Sequence, residues 1–166
     1  MQSQKFTPNR RGVALGLLLL SNSGRAAQAA PCPPPVVLFV CPAGTVKSAI
    51  AREMLKARAA RGGVAVRVAS RGVHPEDHVS PGLRASLLAD GLDPTAEPLR
   101  ALEPQDAARA DIVIAFDEAA QAPGLQGAWV WDIPSWNTRY PEAKAALEAK
   151  VDALLVELAR RPCPRG

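Results

Sequence analysis

Residues 36–50 read VVLFVCPAGTVKSAI. An apolar run from Val36 to Val40 ends on Cys41, then come Pro42, Ala43, Gly44, Thr45 and Val46, and Lys47-Ser48 opens a stretch with helical spacing. That order is the order of an anion site. Small residues let a loop curl until its N–H groups converge, and the helix that follows offers further unpaired N–H groups at its N-terminus. Both attract negative charge, and Lys47 adds a cation. A cysteine thiolate beneath a bound oxyanion is placed to attack its central atom, phosphorus or arsenic. A nucleotide-binding loop of the form G-x-x-x-x-G-K-[ST] also ends in Lys-Ser, but here Cys41 and Val46 occupy its two glycine positions.

Such a loop works only if a strand and a helix hold it, and the surrounding pattern supplies both. Val36–Val40 is continuously apolar, as a strand buried on both faces must be. From Ser48 to about Arg61 the spacing is helical, with Gly62-Gly63 as its stop. Residues 64–70 (VAVRVAS) alternate and read as a second strand. Ser80-Pro81 reads as an N-cap and first helical residue, with Gly91 closing that helix. A short helix near residues 104–110 leads to a third strand, 111–115 (DIVIA), and turn residues precede a fourth, 128–132 (AWVWD). A long amphipathic helix at about 141–161 closes the chain, with Leu147, Val151, Leu154, Leu155 and Leu158 on one face. Strands alternating with helices predict an α/β fold, a four-stranded parallel sheet with helices on both faces. In such a sheet ligands sit beyond the carboxyl ends of the strands, where Cys41 falls.

The loop resembles the signature V-C-x-G-N-x-C-R-S of the low-molecular-weight protein-tyrosine-phosphatase family, which includes arsenate reductases of the same flavodoxin-like fold. The resemblance continues downstream. Ser70-Arg71-Gly72 stands where the family has S-A-G, Asp111–Glu118 (DIVIAFDE) is similar to D-x-I-x-x-M-D-x, and Trp131-Asp132-Ile133-Pro134 is similar to the W-D-I-P before the family's D-P acid loop. It covers about residues 36–160. It implies that Cys41 is the nucleophile, that Pro42, Ala43, Gly44, Thr45, Val46, Lys47 and Ser48 bind phosphate, and that Ser48 hydrogen-bonds the sulfur.

The departures from the family pattern bear on catalysis. Lys47 replaces the arginine, exchanging a planar fork of donors for a single flexible charge. Losing one preorganised oxyanion donor costs roughly 10²–10³ in rate. The family's general acid falls at Ser135, and losing a general acid costs roughly 10²–10⁴; Asp132, three residues earlier in the sequence, is the candidate substitute. Val46 replaces the second loop cysteine, and Arg71 replaces an alanine at the pocket rim, where it could restore a guanidinium. Trp136 and Tyr140 are candidates for an aromatic-accepting rim. Trp129 and Trp131 share a side of their strand and are expected in the core.

The functional expectation is a weak phosphomonoester hydrolase that forms a cysteinyl-phosphate. One alternative is a pseudophosphatase that binds an oxyanion or phosphorylated ligand without turnover. Another, arsenate reductase-like thiol chemistry, lacks further cysteines between Cys41 and Cys163 to relay a disulfide. The pattern calls for no cofactor and no metal: His74 and His78 lie in a proline-flanked loop that would not fix ligand geometry.

The first 29 residues read as a secretory signal, with Lys5, Arg10 and Arg11, the apolar run 12–20, and Ala27-Gln28-Ala29 as cleavage signature. Residues 30–166 are then the phosphatase-like domain, exported to the periplasm or secreted, with no stable membrane anchor after cleavage. Lys5, Arg10, Arg11 and Arg25 account for the whole net charge of +4, because no Asp or Glu occurs in the first 30 residues. Nucleic acid is therefore not an expected partner. Cys32 and Cys163 flank the start of the first strand and the end of the last helix. A closing helix antiparallel to the strands brings those ends together, which predicts a Cys32–Cys163 disulfide.

Overall fold

The computed structural model describes residues 33–161. The signal segment, Cys32 and Cys163 lie outside the described residues. The elements run β1 (Val36–Cys41), α1 (Lys47–Gly62), β2 (Arg67–Gly72), α2 (Pro81–Ala89), α3 (Pro104–Ala108), β3 (Ile112–Phe116), a 3-10 turn (Asp117–Gln121), β4 (Trp129–Trp131) and α4 (Tyr140–Arg160). The four strands form one parallel sheet in the order β2-β1-β3-β4. The expected fold is the observed one.

Strand alternation divides the core in two. Val37, Phe39 and Cys41 pack with Ile50, Met54 and Leu55 of α1, Leu83 and Leu87 of α2, and Leu147, Val151 and Leu154 of α4. Leu38 and Val40 face the other way, against the 3-10 turn and Leu125, with Ala107 of α3 packed alongside. Every residue of β1 from Val37 onward is buried, so the strand that carries the nucleophile is held on both faces. Each of its large apolar side chains contributes about 1.5–3 kcal/mol through burial. Phe39, Phe116 and Trp131 meet in stacked, tilted and edge-on contacts at centroid separations of 5.8–6.2 Å.

β1 is where the strand order reverses. From it the chain passes to β2 on one side, and β3 and β4 lie on the other. That switch opens a crevice at the carboxyl ends of β1 and β3, and the Cys41–Val46 loop enters it.

The bounds of β2 and β4 differ from the sequence reading. β2 begins at Arg67 rather than residue 64, because α1 ends with Gly63 in the left-handed region (φ 64°) and the Val64 N–H closes on the Ala59 carbonyl at 2.9 Å. Residues 63–66 are spent leaving the helix. β4 keeps only Trp129–Trp131. Trp131 is in the core as expected, whereas Trp129, at the strand's other end, is 43% exposed. The Ser80 cap of α2 holds, its side chain accepting from the Leu83 N–H at 3.3 Å.

Candidate active site

The site is built from β1 outward. Cys41 Sγ is nearly sealed at 3% residue exposure and has two polar neighbours. The Gly44 N–H donates to it at 3.1 Å, and Ser48 Oγ lies 3.1 Å away. Ser48 also reaches the Arg71 carbonyl, at a longer 3.4 Å. The loop therefore curls over its own cysteine, and the first turn of α1 supplies a hydroxyl from the far side.

What holds the curl is the segment after β2. The carbonyls of Cys41, Pro42 and Ala43 accept from the N–H groups of Val73, His74 and Glu76 at 3.2, 2.8 and 3.1 Å. Thr45 Oγ1 donates to the Glu76 carbonyl at 2.8 Å and accepts from the His78 N–H at 3.2 Å. With the loop carbonyls taken on this side, among the described residues no acceptor takes the amides of Ala43, Thr45 or Val46. α1 begins without a side-chain cap and without an acidic residue in its first turn. A row of free N–H groups running into an uncapped helix start is the arrangement that binds an anion.

Two glycines allow the approach. Gly44 takes φ 80°, and a Cβ there would lie 2.7 Å from Leu99 Cδ1 and 2.8 Å from Gly72 Cα. A Cβ on Gly72 would lie 2.8 Å from the Ala43 carbonyl group. Gly72 pairs with Cys41 in the sheet register, so β2 brings its glycine to the loop.

Beneath the loop, Arg52 of α1 is 2% exposed and satisfied on all sides. It donates to Glu53 at 2.6 Å, to Ser70 Oγ at 2.7 Å and to the Pro94 carbonyl at 3.1 Å. It ties the helix behind the loop to β2 and to the chain after α2. The sequence reading missed it; an arginine between apolar helix positions 50 and 54 was the available signal.

Lys47 is at the mouth, and its Nζ lies 2.6 Å from Asp117 Oδ1. Asp117 directly follows β3 and takes φ 53°. The sequence reading passed over this residue, although it sits in the stretch DIVIAFDE after the third strand.

The remaining candidates divide. Asp132 follows β4 and is exposed, with no side-chain hydrogen bond or ion pair among the described residues. Arg71 is not an open rim guanidinium: it grips Asp106 of α3 with two hydrogen bonds, at 2.9 and 3.0 Å. Burial alone would raise the Asp106 carboxyl, but the Arg71 and Glu103 N–H bonds outweigh it and hold it below the usual carboxylate range. Trp136 is 2% exposed and stacks edge-on against Tyr140, so it belongs to the core, with its indole N–H unpartnered. Tyr140 is half-buried and donates to Asp90 at 2.6 Å. Its burial and that bond raise the phenol well above its ordinary range. Neither aromatic is free to line a cleft, because each is engaged in seating the β4–α4 connection. His78 pairs with Glu76 on the surface, and no group of residues suited to a metal occurs among the described residues.

A family model described as low molecular weight phosphotyrosine protein phosphatase matches residues 36–127, more than half of the chain and the whole of this loop. The chain belongs to that family. No curated protein matches the chain. Among solved structures, YfkJ from Bacillus subtilis aligns at TM-score 0.62 and 18% identity, over 77% of this chain and 96% of that one. The arginine phosphatase YwlE from Geobacillus stearothermophilus gives 0.60 and 22%, over 76% and 94%. An arsenate reductase in the phosphate binding state gives 0.62 and 19%, over 75% and 98%. At these identities the likeness is one of fold. Lys47 falls within the matched residues, whereas Ser135, which is exposed, lies beyond them.

Proposed function

We propose that the protein hydrolyses phosphomonoesters through Cys41, weakly, and with a preference for esters of good leaving groups. The observation that carries this reading is the Cys41 sulfur, 3.1 Å from both the Gly44 N–H and Ser48 Oγ, under a loop whose Ala43, Thr45 and Val46 amides are free. In the first step a sulfur–phosphorus bond forms and the ester phosphorus–oxygen bond breaks. The loop amides take up charge on the phosphoryl oxygens. The departing oxygen takes its proton from water or from Asp132, since Ser135 is no acid near neutral pH. Water then cleaves the cysteinyl-phosphate and returns the thiol. Aryl phosphates, whose oxygens leave without much help, should turn over best.

The test is p-nitrophenyl phosphate turnover by residues 31–166, the native protein beside Cys41→Ser and Lys47→Arg. Turnover lost in Cys41→Ser and raised in Lys47→Arg supports the hydrolase. The Lys47–Asp117 pair and Ser135 favour a second reading, an oxyanion-binding protein without turnover. Absence of turnover in all three proteins, with phosphate still bound, would establish that reading instead. The arsenate reductase-like alternative meets the fact that Cys41 is the one cysteine of residues 33–161.

We further propose export by the N-terminal signal and a Cys32–Cys163 disulfide. Supporting the pairing, the Asp111 carboxylate accepts from the Val36 N–H at 2.7 Å, while Asp111 shares a surface cleft with Arg161 at the end of α4. Both flanks thus approach the same end of the sheet. Alkylation of the unreduced exported protein should add mass at Cys41 alone, and modification of all three cysteines would refute the bridge.

A further inference from the structure

Lys47 does not offer the site a free charge. Its Nζ is 2.6 Å from Asp117 Oδ1, with side-chain exposures of 16% and 33%, so the pair is partly shielded from water and salt. Asp117 has no other hydrogen-bond or ion-pair partner for its side chain among the described residues. It follows Phe116, whose strand neighbours β1, which places the carboxylate beside the start of α1. It also stands in the left-handed region at φ 53°, a conformation that aspartate tolerates and most residues avoid. A guanidinium could hold Asp117 with one edge and an oxyanion with another. An ammonium is a single centre, and its charge is already balanced.

We infer that Asp117 sets the charge selectivity of the oxyanion site. Paired with Lys47, it balances the charge of that cation, so the loop amides and helix start supply the attraction, and a dianion feels the repulsion of the Asp117 carboxylate twice over relative to a monoanion. The site accordingly favours singly charged oxyanions, such as phosphodiester-like or monoprotonated phosphoryl groups, more than an unpaired cation would allow. This inference rests on the oxyanion reading of the loop. Coulomb energy is proportional to ligand charge, so removing one negative charge should multiply monoanion affinity by some factor and dianion affinity by about its square.

Sulfate and perchlorate provide the probe, being tetrahedral ions of similar shape with fixed charges of about −2 and −1 near neutral pH. Their dissociation constants would be measured by NMR titration, at matched ionic strength, for the native chain and for Asp117→Asn. Asparagine keeps the shape and tolerates the left-handed backbone. Sulfate binding should tighten about tenfold and perchlorate about threefold, as the charge scaling requires. Lys47→Met, which leaves Asp117 unpaired, should shift the ratio the other way. A ratio of sulfate affinity to perchlorate affinity that is unchanged or lowered in Asp117→Asn would overturn the inference and leave the oxyanion site standing. Binding of neither ion by any of the proteins would overturn the oxyanion reading itself, and this inference with it.

Discussion

A lysine at position 47 differs from an arginine there in geometry more than in charge. Lys47 reaches Asp117, and a single ammonium centre cannot form the paired bonds that a guanidinium makes to a phosphoryl group. Lys47→Arg should therefore raise kcat/KM for p-nitrophenyl phosphate by about tenfold or more, since one lost oxyanion donor costs roughly 10²–10³. Steady-state kinetics measures it, and an unchanged value would mean that the lysine at position 47 does not limit turnover. Ser135 calls for a different readout, because a general acid matters most when the leaving group is poor. Ser135→Asp should accelerate phenyl phosphate more than p-nitrophenyl phosphate. Equal acceleration of the two would show that the new carboxyl does not reach the leaving oxygen. Gly44 tests the loop itself. Gly44→Ala places a methyl 2.7 Å from Leu99 at φ 80°. The strain, about 1–3 kcal/mol, should appear as a lowered thermal midpoint together with weaker phosphate binding.

At the scale of elements, α1 and the β4–α4 connection are fixed by polar contacts that hydrophobic periodicity does not reveal. Arg52 is buried on α1 and bonded to Glu53, Ser70 and Pro94. Arg52→Met removes the cation and leaves these partners unmatched, so the domain should lose about 3 kcal/mol, as when one member of a buried ion pair is deleted. Urea denaturation gives the value, and a loss under about 1 kcal/mol would mean that the partners re-solvate. The β4–α4 connection is latched where Asp90 receives bonds from Lys144 at 2.8 Å and from Tyr140. The Lys144 bond, then the Tyr140 bond, holds the Asp90 carboxyl below its ordinary value. A depressed folded-state pKa means that the contribution is fully present above the unfolded value of about 3.9 and is lost as pH falls through the folded one. Asp90→Asn should thus reduce the stability lost on acidification below about pH 4, measured as the change in urea midpoint with pH. A slope identical to the native protein's would remove Asp90 from the account.

For the whole molecule, the strand order decides where chemistry can occur. Placing β1 centrally, with β2 on one side and β3 on the other, puts Cys41, Gly72 and Asp117 at one end of the sheet, although they are distant in sequence. The sequence alone was sufficient for the architecture, because its signals are local. The apolar run into Cys41, the glycine stop after α1, the Ser80-Pro81 cap and the leucine stripe of α4 each follow from periodicity or capping within a few residues. It was also sufficient for the loop, since Cys41 through Ser48 are contiguous and their spacing specifies a curl into a helix. Side-chain partners over long separations could not be read in the same way. Arg71 was expected at the pocket and binds Asp106, 35 residues on; Trp136 was expected at a rim and is buried; Lys47 read as a free cation and is paired across 70 residues. Local pattern fixes which face of an element is apolar. Only the packed sheet decides which charge meets which, because that depends on strand order and register, and these are settled by the competition of all the elements for one core.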